Sequence, residues 1–388
     1  MFNITSITSA VETFFGLQKH HISHPKLDEI LKEQPKNVVL IVIDALGEVV
    51  LKKHTPTGFF EKHKKDLLNT VVPATTVAAN TTLKTGVLPH QHGWLGWSQY
   101  FKESDEVVNI FSNTNFDTNE VSKLSRPAGE LQVPTLVERI KANGIPAYEV
   151  MPAWAENGCK TFDDWCNRLK MLCQKDEKKY IYAYWSELDS ALHANGIGSK
   201  KVQETVDELE KKLTLLSEEL KDTVMIITAD HGHHDVEQLY LSNDYPHITK
   251  MMAQPNSLEP RCAAFHIKEE YKKEFPLVFK ETFQDFHLMT GKAFIRLLGG
   301  SEHPFIKDAV GDYVALAKKN RSLTWKFDPE WPMKSEHAGF TKEEMIVPLI
   351  IINTLYRDFK ENKSSFRAEC VVKKEVNCLV NNQNEREI

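Results

Sequence analysis

The chain has 388 residues, 41% hydrophobic and 26% charged, with a formal net charge of −6. That length suits one large α/β domain with insertions, or two domains, and leaves no doubt about a sizeable core. The charge balance disfavours nucleic-acid binding. The N-terminus has no signal-peptide layout and no run approaches the ~18 apolar residues of a membrane span, so a cytosolic protein is expected.

Residues 7–33 carry Val11, Phe14, Phe15, Leu17, Leu27, Ile30 and Leu31 at helical spacing, which predicts one or two amphipathic helices outside the main sheet. Val38–Ile43 is six consecutive apolar residues, the pattern of a strand buried on both faces of a parallel sheet, and it ends at Asp44. A Lys-rich helix over 58–67 and a short strand over Leu68–Val72 are expected next. Residues 94–130, mixed polar and aromatic, read as loops or a hairpin over the site.

Helices are predicted over 131–143 and 162–174, with a strand at 147–152 between them. Tyr180–Trp185 is a second buried-type strand, followed by Glu187-Leu-Asp189-Ser-Ala-Leu-His193. A charged amphipathic helix spans roughly Lys200–Lys221, its charges a solvated face. Thr223–Thr228 is the third such strand, leading into Asp230-His231-Gly232-His233-His234-Asp235. Residues 236–335 change character to short strands and helices around Cys262–Ile267, 269–284, Phe294–Leu298 and Tyr313–Ala317. Ser335–Gly339, containing His337, then precedes a last apolar strand at Val347–Ile352, and a polar tail, Val380–Ile388, is expected to fray.

The six cysteines form no C-x-x-C pair. Reduced, buried thiols are expected, with Cys159, Cys166 and Cys173 packing at seven-residue spacing.

One stretch connects these pieces. Val71-Val-Pro-Ala-Thr75-Thr76 is an apolar run, a proline and two hydroxyls, followed by a helix-compatible segment. A threonine at a helix N-terminus can be a simple cap or can sit where free backbone N–H groups favour a phosphate. Three buried strands end in carboxylates, two of those ends add a histidine, and His337 joins from further on. Asp and His are zinc ligand types, and ion pairs ~3.5–4 Å apart serve many phosphate-transfer enzymes.

In this order, Ile43-Asp-Ala-Leu-Gly47, Pro73-Ala-Thr-Thr76 with Thr85-Gly and His92-Gly93, Glu187–His193 with Gly196, Thr228-Ala-Asp-His-Gly232 and Glu336-His-Ala-Gly339 resemble the alkaline phosphatase superfamily in its type I phosphodiesterase/nucleotide pyrophosphatase branch. The resemblance runs from Val38 to Ile352. It implies a three-layer α/β/α core with a largely parallel sheet and a smaller α+β cap. It also implies one metal on Asp189, His193 and His337 and another on Asp44, Asp230, His231 and Thr76. Two divalent ions are expected, zinc first and manganese as the alternative. Of the two threonines, the family pattern aligns Thr76 with the nucleophile that forms a phosphothreonyl-type intermediate.

The pattern thins at Trp97, where nucleotide pyrophosphatases carry an asparagine; Trp97 and Asn80 are the candidate substrate contacts, Trp97 by its indole N–H or by stacking. His233, His234 and Asp235 could buttress ligands or lie on a surface loop, and Glu187 fits a strand end or a supporting contact to a ligand. Lys84 reads as a solvated helix lysine, with contact to a phosphate as the alternative, and Arg261 as structural or lid-forming. The expected organisation is an N-terminal helical segment at 1–36, a catalytic core at 37–235 and 336–388 with 98–150 partly lid, and a cap at 236–335. The expected activity is hydrolysis of a phosphodiester or pyrophosphate bond in a small, nucleotide-type substrate. A phosphomonoesterase or phosphonate hydrolase and a non-catalytic zinc-retaining binding protein are the alternatives.

Overall fold

In the computed structural model, residues 1–329 and 332–355 are described. The three apolar runs form adjacent strands at the centre of a six-stranded sheet. Its order is Lys64–Asn69, Ile346–Asn353, Thr223–Thr228, Asn37–Ile43, Lys179–Trp185 and Ala147–Val150. All residues of the three central strands are buried, which explains why they lack polar alternation. They pair in parallel, with Ile43 opposite Trp185 and Val42 opposite Thr228. Their C-terminal ends therefore finish side by side, the place where open α/β sheets bind ligands. Ile346–Asn353 runs antiparallel to both its neighbours.

Two sets of helices cover this sheet. Thr5–Phe14, Thr76–Thr85 and Leu136–Ala142 form one contiguous layer, and Lys200–Glu219 contacts Glu48–His54, Phe59–His63, Phe162–Cys173 and Glu187–Asn195 in the other. The outcome is the expected three-layer α/β/α core.

A second sheet has the order Phe286–Thr290, Tyr313–Ala317, Cys262–Phe265, Ser257–Glu259, Ser98–Phe101, Glu106–Asn109, Thr114–Asn115. Its joint is the pairing of Leu258 with Ser98. The 94–130 stretch, expected as loops or a hairpin, thus continues the sheet built from 257–317.

Several boundaries move. The strand expected at Leu68–Val72 is instead Lys64–Asn69, and the preceding helix shrinks to Phe59–His63. This strand lies at the sheet's edge and is mostly half-buried, so it has no apolar run to announce it. The helix expected from Leu131 starts at Leu136, because Thr135 and Glu138 form a reciprocal capping box just after Pro134. Phe294–Leu298 belongs to a helix, Gly291–Leu298. Glu269–Tyr271 is a 3₁₀ turn separate from the Phe275–Thr282 helix.

Cys159, Cys166, Cys173 and Cys262 are free thiols. Cys370, Cys378 and the Val380–Ile388 tail lie outside the described residues. Among the described residues no helix is long and apolar enough to cross a membrane.

Candidate metal centre and active site

Asp44 and Asp230 leave adjacent strands on loops that nearly touch. A Cβ on Gly47 would lie 2.5 Å from the Gly232 Cα, so this approach requires glycine. Each carboxylate has one oxygen engaged. Asp44 Oδ2 accepts from the Tyr184 hydroxyl, and Asp230 Oδ1 accepts from the Ala45 and His231 backbone amides at 3.1 and 3.0 Å. The other oxygens, Asp44 Oδ1 and Asp230 Oδ2, are buried without a hydrogen-bond partner.

His231 faces those two orphan oxygens. Its Nε2 lies 3.3 Å from Asp44 Oδ1, 3.8 Å from Asp230 Oδ2 and 3.1 Å from Thr76 Oγ1. Its Nδ1 donates to the Gly232 carbonyl at 3.1 Å, so Nε2 presents a lone pair to the same space. Two unpartnered anionic oxygens, an imidazole lone pair and a hydroxyl converging in a buried space fit a divalent cation. Without one, burial first and then the neighbouring Asp230 and Asp189 charges push the Asp44 carboxyl well above its ordinary range; burial likewise raises Asp230.

The two threonines diverge. Thr76 is the first residue of the Thr76–Thr85 helix and borders the cavity, whereas Thr75, at the N-cap position, is fully buried and donates to Glu259 Oε1 at 2.5 Å.

A second cluster stands beside the first. Asp189 and His193 sit one turn apart on the Glu187–Asn195 helix, with Oδ1 to Nε2 at 3.4 Å. His193 Nδ1 donates to the Ser335 carbonyl at 2.8 Å, again leaving Nε2 free. His337 Nε2 is 4.0 Å from Asp189 Oδ1, and its ring stacks on His231 at 3.9 Å between centroids. Although burial opposes it, the imidazoles of His193, His233 and His337 hold the Asp189 carboxyl well below the usual range. His233 is fully buried and reaches Asp189 Oδ1 through Nε2 at 2.8 Å. His234 and Asp235 instead pair with Glu336 and Ser335 in a short two-stranded ribbon.

A cavity of about 550 Å³ opens over Thr76, Asp189, His193 and His337, with Trp97 and Trp325 in its walls. Trp97 is 53% exposed and meets Phe111 edge-on at 5.3 Å. Its backbone amide donates to Glu259 Oε1 at 2.8 Å, and burial pushes the Glu259 carboxyl up to about 7. Asn80 lies off the cavity lining, its side-chain oxygen accepting from the Tyr182 hydroxyl. Glu187 accepts from the Trp185 indole at 3.3 Å, and Lys84 pairs with Glu149 at 3.1 Å.

Of the supports, Arg261 carried a structural reading in the sequence, whereas its partner Glu344, and Glu259 and Tyr184, did not. Arg261 is buried and donates two hydrogen bonds to Glu344, Nε to Oε1 at 2.6 Å and Nη2 to Oε2 at 2.8 Å. Glu344 also accepts from the Gly339 amide at 2.7 Å through its side chain and from Gly232 at 2.8 Å through its carbonyl. The second sheet is thus tied to both ligand loops. Tyr184 was signalled only by the Tyr180-x-Tyr182-x-Tyr184 alternation, which places these residues on one face of the strand.

Residues 38–324 match the family described as Type I phosphodiesterase / nucleotide pyrophosphatase. The chain belongs to this family. As a type I phosphodiesterase/nucleotide pyrophosphatase family member it is a hydrolase of a two-metal group. No curated protein sequence matches it.

Solved structures with a similar fold include murine ectonucleotide pyrophosphatase/phosphodiesterase 5, at 14% identity and TM-score 0.62, covering 80% of this chain and 87% of that one. The human counterpart matches at 15% and 0.62, covering 81% and 87%. Phosphonoacetate hydrolase from Sinorhizobium meliloti 1021, in complex with phosphonoformate, matches at 15% and 0.61, covering 82% and 90%.

Proposed function

We propose that this family member hydrolyses phosphodiester or pyrophosphate bonds of small, nucleotide-type substrates, with Thr76 as the nucleophile. The observation that carries the reading is Thr76 Oγ1 at a helix start, 3.1 Å from His231 Nε2 and beside the unpartnered oxygens of Asp44 and Asp230. Asp44, Asp230, His231 and Thr76 would hold one divalent ion and Asp189, His193 and His337 the other, with zinc favoured by the Asp/His donor set. When bound, such ions supply Lewis-acid stabilisation and lower the pKa of oxygen nucleophiles.

The chain's own groups do the rest. His231, its Nδ1 proton held by the Gly232 carbonyl, keeps its Nε2 lone pair turned toward Thr76 Oγ1 and the two unpartnered carboxylate oxygens, fixing the donor that would hold the ion next to the nucleophile. The first-turn amides of the Thr76–Thr85 helix face a phosphoryl group on Thr76 and favour its negative charge. Attack by Thr76 Oγ1 on phosphorus forms a P–O bond as the bond to the leaving alcohol or phosphate breaks, the hydroxyl proton passing to solvent and the departing oxygen taking one up. Water then cleaves the phosphothreonine, releasing phosphate or its monoester and regenerating the hydroxyl. A murine relative described as inactive in a threonine-to-alanine form, in complex with AMP, supports both the nucleophile and the substrate class.

Phosphonate or phosphomonoester hydrolysis is the second reading, favoured by the likeness to phosphonoacetate hydrolase. Against it, no Lys or Arg occurs among the cavity-lining residues described, and the extra charge of such substrates usually needs a cation. The test is turnover of bis-p-nitrophenyl phosphate, p-nitrophenyl nucleotide esters and p-nitrophenyl phosphate, with and without chelator. Diester cleavage is expected to dominate, to stop on chelation and to fall below detection in Thr76→Ala with both metals still bound. Equal turnover by Thr76→Ala would overturn the nucleophile, and a monoester preference would promote the second reading.

A further inference from the structure

Asp189, His193, His233 and His337 offer four donor atoms that all lie within 4.8 Å of one another. Three of these already serve the proposed function; His233 does not. The hydrogen bonds around it decide which of its nitrogens carries the proton. Ser335 Oγ donates to the Leu192 carbonyl at 2.8 Å. A hydroxyl has one proton, so at 2.9 Å from His233 Nδ1 the same oxygen can only accept. Nδ1 therefore bears the hydrogen, and in the neutral ring Nε2 presents its lone pair.

That lone pair points at Asp189 Oδ1 from 2.8 Å. Lone pairs facing each other across such a gap repel unless a proton or a cation lies between them. His193 is arranged in the same way. Its Nδ1–H is held by the Ser335 carbonyl and its Nε2 lies 3.4 Å from the same Asp189 oxygen. Ser335 thus orients two imidazoles at once, one through its carbonyl and one through its hydroxyl.

We infer that His233 Nε2 is a fourth protein ligand of the ion assigned to Asp189, His193 and His337, with Ser335 as the positioning residue that sets its tautomer. This rests on the two-metal reading above and adds a donor to it. Four protein donors hold an ion more firmly, and leave solvent less room, than three with an open position.

The experiment uses the full chain with ¹⁵N-labelled histidine, loaded with two equivalents of ¹¹³Cd²⁺, and reads imidazole nitrogens split by bonded cadmium. Four split Nε2 signals are expected, from His193, His231, His233 and His337. His233→Gln should remove one and weaken one of the two sites by more than about 100-fold in chelator competition, beyond the ~10–100-fold typical of a residue that only supports a ligand. Ser335→Ala, which keeps the carbonyl, should leave His193 split and weaken the His233 splitting, with amide dispersion reporting that both variants fold. Three split signals, with His233 Nε2 carrying its own proton, would overturn the inference and leave the two-metal reading standing. Absence of splitting at His193, His231 and His337 would sink both.

Discussion

The two donor clusters use the same side-chain types but are held differently. Asp44, Asp230 and His231 are almost wholly buried at the ends of two neighbouring strands, and each carboxylate spends one oxygen on a fixed protein donor. Asp189, His193 and His337 border the cavity and come from a helix and from the Ser335–Gly339 segment. The first set inherits its geometry from strand register. The second depends on how a loop is clamped, here by Ser335 and by the Arg261–Glu344 pair. Glu344 touches both ligand loops, but it holds Gly232 through its backbone carbonyl and Gly339 through the carboxylate that Arg261 fixes, so loosening of that pair should disturb the loop-borne cluster more than the sheet-borne one.

The largest effect expected is at the sheet-borne cluster. Asp230→Asn weakens a buried anionic donor, so kcat/KM should fall by about 10³ or more, which corresponds to roughly 4 kcal/mol. Metal analysis should return one ion rather than two. Two retained ions with near-normal turnover would dissolve the distinction between the clusters.

Next comes Arg261→Met, which leaves Glu344 as an uncompensated charge in the core. Denaturant titration should show a loss of about 3–5 kcal/mol, most of it recovered in Arg261→Met combined with Glu344→Gln. Metal should be lost first from the Asp189 site, because Glu344 fixes the Gly339 amide two residues after His337. Loss from the Asp44 site first would reverse the comparison.

Glu259 sharpens it by pH. Its carboxyl titrates near 7 in the fold against 4.5 ordinarily. A raised acid pKa means that the folded chain keeps a proton the unfolded chain has lost. The associated stability is full below about pH 4.5 and is lost as pH rises through about 7. Glu259→Gln keeps an acceptor for Thr75 and the Trp97 amide without this titration. It should be more stable than wild type by roughly 2–3 kcal/mol at pH 8, with the gap closing at pH 4. Parallel stability–pH curves for the two proteins would remove the titration from Glu259.

Legibility in the sequence follows the physical origin of each signal. Val38–Ile43, Tyr180–Trp185 and Thr223–Thr228 could be read because burial on both faces leaves unbroken apolar runs, and parallel pairing brings their C-terminal ends side by side. Lys64–Asn69 could not, since an edge strand needs no such run. Asp44, Asp230, His231, Thr76, Asp189, His193 and His337 carried motif signals and converge in space. Their supports did not. Glu259 meets Thr75 across 184 positions and Arg261 meets Glu344 across 83, and no local spacing rule reaches that far. His233 was the intermediate case, visible as an extra histidine but ambiguous between loop and site until the ribbon of His234 and Asp235 turned it inward.

The smallest effect expected is at Trp97, and it separates substrate contact from scaffold. The Trp97 backbone amide, rather than its indole, holds Glu259, so Trp97→Ala leaves that link intact and removes a half-exposed ring with one edge contact to Phe111. Folding stability should change by less than about 1 kcal/mol. If the ring stacks on an aromatic ester or base, KM for a p-nitrophenyl nucleotide ester should rise about fivefold, while an aliphatic diester and kcat for both stay near wild type. Equal KM changes for aromatic and aliphatic substrates would make the ring a packing element. The missing phosphate contact of the family pattern would then have to come from another wall of the cavity.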